Sequence, residues 1–249
     1  LTRKELPAYG KIDKSVDIER LRQYCVDNGY IKYDEFTDIR YSADSPHKSF
    51  LVANTFCKDT FFKEEKAQSR EGEKYRQLYF TDIDPDLKVN TEDRLNDTNS
   101  SIFSRTRRLD PTSKDYIPEA DELNYTHKNH HVKGVFEEIL NMFESQVTRV
   151  RLAVIMPKFT IKPHVDYDPS YITRYHIPIF TNDQVVFGAK TKDRNISYTM
   201  PADGSVYFFN SGMLHWVSNN SDVPRLHLII DTNGQDDLRL QWIQLACVI

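Results

Sequence analysis

A chain of 249 residues with 39% hydrophobic and 12% aromatic residues is long and apolar enough to bury a core, which excludes a wholly disordered protein. Its net charge of −4 and sequence pI near 6.1 argue against a general electrostatic attraction to nucleic acid. The sequence shows no apolar membrane span, no signal-peptide core and no paired cysteines, so we expect a cytoplasmic protein without membrane or nucleic-acid partners.

The first part of the chain, residues 1–148, predicts a mixture of helices and strands. Ser15 is a candidate N-cap for a first helix, and Gly29 is placed to end it. The apolar side of this helix would hold Val16, Leu21, Tyr24 and Cys25. The stretches YIKYDEF, KSFLVANTF and YRQLYFTDI that follow have the aromatic and β-branched content typical of strands.

Residues 82–129 form a polar stretch that predicts either a long loop acting as a lid or a disordered segment. Apolar residues at three- and four-residue intervals then predict a second helix. These residues are Val132, Val135, Phe136, Ile139, Leu140, Phe143 and Val147.

From residue 149 onward the pattern changes to short strands separated by Pro, Gly, Asn and Asp. The candidates are VRLAVIM, FTIKPHV, RYHIPIF, QVVFGAK, ISYTM, GSVYFF, LHWVS and RLHLIIDT. Eight short strands without an intervening helix favour an antiparallel sandwich or jelly roll. We therefore predict an α+β, mainly β protein with one domain over residues 1–249, a jelly-roll core at 149–235 and a C-terminal tail at 236–249.

Three residues in this β region form a candidate metal site. His164 and Asp166 alternate on one strand and so share a face, and His215 lies on a later strand that can close the site. Two imidazoles and one carboxylate leave three positions of an octahedron open, which suits an iron(II) that binds a bidentate oxo-acid and dioxygen.

Arg225 is the second feature with a chemical meaning. It lies ten residues after His215 and opens the apolar strand RLHLIID, where a buried guanidinium needs an anionic partner. Its planar fork matches the carboxylate of a dicarboxylate co-substrate. Arg174 and His176 alternate on another strand and offer two more inward-facing donors, although a cross-strand ion pair and a satisfied core histidine are equally good interpretations.

Together these residues resemble the aspartyl/asparaginyl β-hydroxylase branch of the 2-oxoglutarate oxygenases. The resemblance covers residues 150–235 and rests on Pro163-His164, Arg174-x-His176, His215 and Arg225. It implies a cupin-like double-stranded β-helix, iron(II), 2-oxoglutarate, dioxygen and hydroxylation with release of succinate and carbon dioxide. By the same resemblance, Arg225 would bind the far carboxylate of 2-oxoglutarate, with Arg174 and His176 helping to hold its carboxylates.

The chain departs from the vertebrate-type members of that family at two positions. Asp166 stands where they have a glycine, so the chain looks more like bacterial members with a full triad, such as the proline cis-4-hydroxylase type. Ala153 replaces a small hydroxylated residue, which removes one expected hydrogen bond to oxoglutarate. The substrate is therefore expected to be a free amino acid or a small derivative, with a residue inside a peptide as the alternative.

Several other residues are candidates for substrate contacts or for packing alone. Tyr167, Asp168 and Tyr171 follow the metal motif and Trp216 follows the distal histidine, while Arg105 and Arg107 lie in the basic run SRTRRLD. Two other functions stay open from the sequence: a cupin-type metal enzyme without oxoglutarate, which would need a further ligand, and a β-sandwich binding module without catalysis.

Overall fold

The computed structural model describes residues 1–32, 51–52, 75–83 and 121–238. It contains helices α1 (Ile18–Asp27) and α2 (Val135–Leu140) and a 3-10 turn, Glu122–Asn124. The strands are β1 (Tyr9–Ser15), β2 (Ile31–Lys32), β3 (Leu51–Val52), β4 (Tyr75–Tyr79), β5 (Thr81–Asp82), β6 (His127–Lys128), β7 (Gln146–Val147), β8 (Arg151–Ile155), β9 (Phe159–His164), β10 (Thr173–Phe180), β11 (Val185–Lys190), β12 (Asn195–Tyr198), β13 (Ser205–Phe209), β14 (His215–Asn219) and β15 (Arg225–Asn233).

Two large antiparallel sheets dominate the described part of the fold, which also contains two short two-stranded sheets, β2-β3 and β5-β6. The larger has the order β1-β13-β10-β15-β8-β4, with β7 also beside β15, and the smaller has the order β12-β11-β14-β9. From β8 onward the chain passes between the sheets, with β8, β10, β13 and β15 in the larger and β9, β11, β12 and β14 in the smaller. This winding is that of a double-stranded β-helix, so the predicted fold class and its eight strands are confirmed.

Strand alternation gives the larger sheet two different buried faces. On one face, residues such as Leu152, Ile177 and Leu228 pack against both helices. The other face lies toward the smaller sheet, where an apolar cluster forms around Ile155, Phe187 and other residues. The charged and imidazole side chains of β8, β10 and β15 share this second face, so the helices are not part of the site's polar interior.

The start of α1 differs from the predicted start at Ser15. That residue ends β1 and pairs with Ser205 of β13, so its predicted role as N-cap is wrong. Asp17 caps the helix instead, because its Oδ1 accepts a hydrogen bond of 3.0 Å from the backbone N–H of Arg20. The predicted apolar side is confirmed for Leu21 and Cys25, which are fully buried.

The second helix is shorter than its apolar pattern predicts, since α2 covers only Val135–Leu140. Phe143 and Val147 still join the helix-side core, but Val147 does so from β7, which pairs with β15.

Within the predicted polar loop, residues 84–120 lie outside the described part of the chain, and residues 121–128 form the 3-10 turn and β6. Among the helices that the structure describes, none has the length and apolar character of a membrane span.

Candidate metal centre

The three predicted ligands come together at one end of the smaller sheet. His164 ends β9 and His215 begins β14, and the two residues face each other in the antiparallel register with ring centroids 4.2 Å apart. Asp166 lies just beyond β9, where its backbone N–H donates to the carbonyl of Ser211 at 2.9 Å. One possible ligand atom from each of the three side chains lies within 4.8 Å of the other two.

Backbone carbonyls fix which nitrogen of each imidazole is available. Nδ1 of His164 lies 2.7 Å from the carbonyl oxygen of Lys162, and Nδ1 of His215 lies 2.8 Å from that of Met213. A carbonyl only accepts, so each Nδ1 carries the hydrogen and each Nε2 keeps its lone pair for a metal. Burial also lowers the pKa of His215 to about 4, so this imidazole is neutral and ready to ligate at neutral pH.

Asp166 completes the donor set as a carboxylate. Its burial favours the protonated form, but the positive charge of Arg174 holds the pKa of the carboxyl below its usual value. Its Oδ1 lies 3.9 Å from Nε2 of His164. Two imidazoles and one carboxylate fit a six-coordinate iron(II) with open positions, and this cluster contains no fourth histidine, cysteine or acidic residue from the described part of the chain.

Arg225 lies inside the barrel, and no anion of the described residues lies beside it. Its residue exposure is 2%, its guanidinium lies over the ring of Phe187 at 5.2 Å, and its Nε has no hydrogen-bond partner. No carboxylate of residues 1–32, 75–83 or 121–238 forms an ion pair with it. Burial lowers the pKa of Arg225 to about 10, which still leaves it charged at neutral pH. A buried, charged and unpaired guanidinium is a site for an incoming anion.

Two buried histidines lie near Arg225 on the same inner surface. His176 and His227 are joined by a hydrogen bond between their Nδ1 atoms at 3.3 Å, and both Nε2 atoms are buried without a partner. Burial and then the positive charge of Arg225 hold the pKa of each imidazole well below its usual value. Both histidines are therefore neutral, and their Nε2 atoms are polar groups that a ligand in this interior could satisfy.

Arg174 also faces the interior, but it is already engaged by two carboxylates. Its Nε and Nη2 donate to Asp231 at 2.7 and 3.1 Å, and its Nη1 donates to Oδ2 of Asp166. Arg151 donates to the same Asp231 at 2.8 Å. The sequence analysis did not single out Asp231 or Arg151, although strand alternation places Asp231 on the same face as Arg225 and Arg151 on the same face as Ala153.

Two predicted substrate residues, Tyr167 and Tyr171, lie together beside the metal motif. Their ring centroids are 5.1 Å apart, and the hydroxyl of Tyr171 donates to Oδ1 of Asp121, which precedes the 3-10 turn. Asp168 orders the intervening turn instead of standing free. Its carboxylate accepts from Ser170 and from the backbone N–H of Arg3, the latter at 3.2 Å.

Trp216 lies on the opposite face of β14 from His215. It pairs in register with Gly188, and a Cβ atom added at that glycine would lie only 1.9 Å from the indole ring. The indole therefore covers the outer side of the smaller sheet and does not line the metal centre. Arg105 and Arg107 lie outside the described residues.

The segment that contains the candidate metal centre is similar to a known protein family. Residues 120–234 match the aspartyl/asparaginyl β-hydroxylase family. The match bears out the suspected resemblance over this segment, which includes His164, Arg174, His176, His215 and Arg225. The match is to a family of hydroxylases, in agreement with the expected class of enzyme.

The search of curated proteins finds no match. Among solved structures, a 2-oxoglutarate–iron(II) oxygenase-family oxidoreductase from Burkholderia pseudomallei is 18% identical over 41% of this chain and 52% of its own, with a TM-score of 0.32. This chain thus spans about half the length of that protein. A cupin domain from Bordetella pertussis is 16% identical over 37% of this chain and 88% of its own, with a TM-score of 0.28. A predicted oxalate decarboxylase from Thermotoga maritima is 14% identical over 39% of this chain and 73% of its own, with a TM-score of 0.27.

Proposed function

We propose that this chain is an iron(II)- and 2-oxoglutarate-dependent dioxygenase that hydroxylates an unactivated C–H bond of a small substrate, a free amino acid or a derivative of one. His164, Asp166 and His215 would hold the iron, and Arg225 would bind the far carboxylate of 2-oxoglutarate. Residues 1–249 would form a single domain around the barrel.

The observation that carries this proposal is Arg225, which has no carboxylate partner among the described residues and lies in the same barrel interior as the three candidate ligands. A metal triad alone fits many cupin-like proteins. A fully buried guanidinium without a protein anion is costly to fold, and a dicarboxylate that also reaches the metal would satisfy it. The two features together therefore favour 2-oxoglutarate over a metal enzyme that acts without it.

When bound, iron(II) and 2-oxoglutarate supply the oxidation of an unactivated C–H bond, with succinate and carbon dioxide as by-products. The protein prepares this site in three ways. Neutral His215 and ionised Asp166 can ligate near neutral pH without first losing a proton. The Lys162 and Met213 carbonyls hold both Nε2 atoms in the ligating tautomer. Arg225 fixes the direction from which the co-substrate enters the metal centre.

The proposed substrate class is small because the resemblance to members with a full triad implies it, and the acidic net charge of −4 gives no support for a nucleic acid. A residue within a peptide is the alternative. The pair Tyr167 and Tyr171, beside the metal motif, would contact either substrate at the mouth of the site.

The test is a screen of the iron-loaded protein for succinate that forms only when a candidate substrate is added, across free amino acids and matched short peptides. We expect stimulation by one or more free amino acids and none with Asp166→Ala. Trp216→Phe is the matched control, since its ring lies outside the barrel, and it should keep the activity. Stimulation by peptides alone would transfer the proposal to the peptide alternative. Failure of metal-loaded protein to bind 2-oxoglutarate would leave a cupin-type enzyme or a binding module.

A further inference from the structure

The carboxylate of the candidate ligand Asp166, whose side chain is 29% exposed, belongs to a charge cluster whose other members are buried and which the proposed chemistry does not by itself require. The cluster consists of Asp166, Arg174, Asp231 and Arg151, contributed by the segment after β9 and by strands β10, β15 and β8. Asp231 is at its centre with no side-chain exposure, and the side chains of Arg174 and Arg151 are 8% and 4% exposed.

Charge balance in this cluster depends on Asp166. Two guanidinium groups around Asp231 alone would leave one uncompensated positive charge in a buried position, which is unfavourable. Asp166 supplies the second negative charge through its Oδ2. The cluster is therefore neutral only when the Asp166 carboxylate is ionised and turned toward Arg174.

The geometry of Arg174 shows which oxygen remains for a metal. Its Nε and Nη2 form a two-pronged contact with Asp231, its direct cross-strand neighbour on β15, and Nη1 reaches Asp166. Oδ2 of Asp166 is thus occupied by Nη1. Oδ1 is the oxygen near His164 Nε2, at 3.9 Å. A carboxylate held in this way offers one oxygen, not two, to a metal between the histidines.

We propose that Arg174 is a positioning residue that holds Asp166 for ligation through Oδ1 alone, and that Asp231 and Arg151 lock Arg174 in place. This inference rests on the proposed metal site, and it assigns to Arg174 a role different from holding the oxoglutarate carboxylates. All three nitrogens of Arg174 already donate to carboxylates, whereas Arg225 has no carboxylate partner among the described residues. Binding of the co-substrate therefore depends on Arg225, and the quality of the metal site depends on Arg174.

The test measures metal and co-substrate affinity separately in Arg174→Gln, Arg174→Lys and Asp231→Asn. Partners outside the metal's own ligands usually affect metal affinity by about 10- to 100-fold. We expect Arg174→Gln to weaken cobalt(II) binding by about this factor, and to shift the visible spectrum of the cobalt protein toward that of Asp166→Ala. Arg174→Lys should recover part of the loss because it keeps the charge. At saturating metal, the oxoglutarate Kd should change by less than about threefold in all three variants.

A matched control separates these effects from the loss of any buried arginine. Arg22 is partly buried, and its Nε donates to the carbonyl of Ile179 on β10 at 2.8 Å, on the helix side of the sheet. Arg22→Gln should alter thermal stability but neither the cobalt affinity nor the cobalt spectrum. Normal cobalt affinity in Arg174→Gln combined with a large rise in oxoglutarate Kd would overturn the proposal and make Arg174 a co-substrate ligand.

A measurement on the unchanged protein covers the case in which the variants do not fold. The 15N signals of the Arg174 guanidinium should shift when zinc(II) is added, because its partner Asp166 becomes a ligand, and should move little when 2-oxoglutarate follows. The opposite order of shifts would overturn the proposal. Zinc-induced shifts at Arg174 without any binding of oxoglutarate would support the positioning role while contradicting the proposed oxygenase, so the two failures are distinguishable.

Discussion

Replacing Arg225 by alanine is expected to weaken the binding of 2-oxoglutarate by at least about 100-fold. The guanidinium has a residue exposure of 2% and no carboxylate partner among the described residues. A two-pronged contact with a carboxylate adds two charge-assisted hydrogen bonds, each worth about 1.5 to 3 kcal/mol. At about 1.4 kcal/mol for each tenfold change, the loss of about 3 kcal/mol gives that minimum factor.

The buried charge also makes a prediction about the protein without co-substrate. Burial lowers the pKa of Arg225 to about 10, and at about 1.36 kcal/mol per pKa unit the difference from a free guanidinium corresponds to about 3 kcal/mol of unfavourable free energy in the charged form. Arg225→Met removes the charge and keeps most of the apolar stem. We expect its unliganded form to unfold at a temperature no lower than that of the wild type, while it loses the stabilisation that oxoglutarate confers.

Anaerobic titration calorimetry of oxoglutarate into the metal-loaded proteins tests whether Arg225 binds the co-substrate. Arg225→Lys should recover only part of the affinity, because an ammonium group keeps the charge but lacks the planar fork. Arg20→Ala, which removes a surface arginine paired with Glu138, is the control and should bind normally. Equal oxoglutarate affinities in wild type, Arg225→Ala and Arg225→Lys would refute the assignment of the co-substrate site.

Further predictions follow from the same structure. His164→Ala, Asp166→Ala and His215→Ala should each abolish turnover and weaken iron binding without unfolding the protein, as measured by metal analysis and circular dichroism; near-normal iron affinity in all three would contradict the site. Asp166→Gly should lower succinate formation steeply, and full retention would show that the carboxylate is dispensable. Folding holds the pKa of His227 well below 6.5. As the pH falls, the imidazole is therefore protonated in the unfolded chain before it is protonated in the folded protein. The free energy of unfolding should thus decrease as the pH falls below about 6.5. Urea denaturation between about pH 8 and pH 5 should therefore show a flatter profile for His227→Gln than for wild type, and parallel profiles would exclude this residue as a cause. Asn219→Ala removes a fully buried amide that donates to the carbonyls of two loops, including that of Val223 at 2.8 Å. It should lower the free energy of unfolding by about 2 to 3 kcal/mol in the same denaturation assay. A smaller loss than that of an exposed asparagine variant such as Asn195→Ala would be inconsistent with that role.

The strands of the barrel could be predicted from sequence because each is a short apolar run bounded by turn-forming residues, as in β8 and β15. Strand β1 could not, since YGKIDKS is largely polar and forms an edge that pairs only with β13. For the same reason Ser15 resembled a helix cap, although the backbone there is still in the strand. Local sequence carries no information about such an edge pairing with a partner almost 200 residues away.

The candidate site, like the strands, could be predicted only in part from the sequence. Alternation along one strand places His164 and Asp166 together, and the register of β9 with β14 adds His215. What the sequence could not supply is the partner of each buried charge. Arg174 and Arg225 look equivalent as inward-facing arginines, and only the tertiary structure shows that Asp231 and Asp166 engage the first and leave the second unpaired. Trp216 could have been excluded from the site by alternation, because its neighbour His215 faces the interior.

The position of β1 at the edge of the larger sheet has a consequence for the order of folding. Tyr9 pairs with Phe209, and the side chain of Asn210 donates to the carbonyl of Leu6 across a sequence separation of 204 residues. Contacts between such distant segments carry a large loop-closure entropy and form slowly. The strand β13 that receives β1 comes directly before the turn that leads to His215. Newly made chains would therefore complete this end of the barrel only after β13 has been made, so the proposed iron site would form late in folding and not in a chain that still lacks β13.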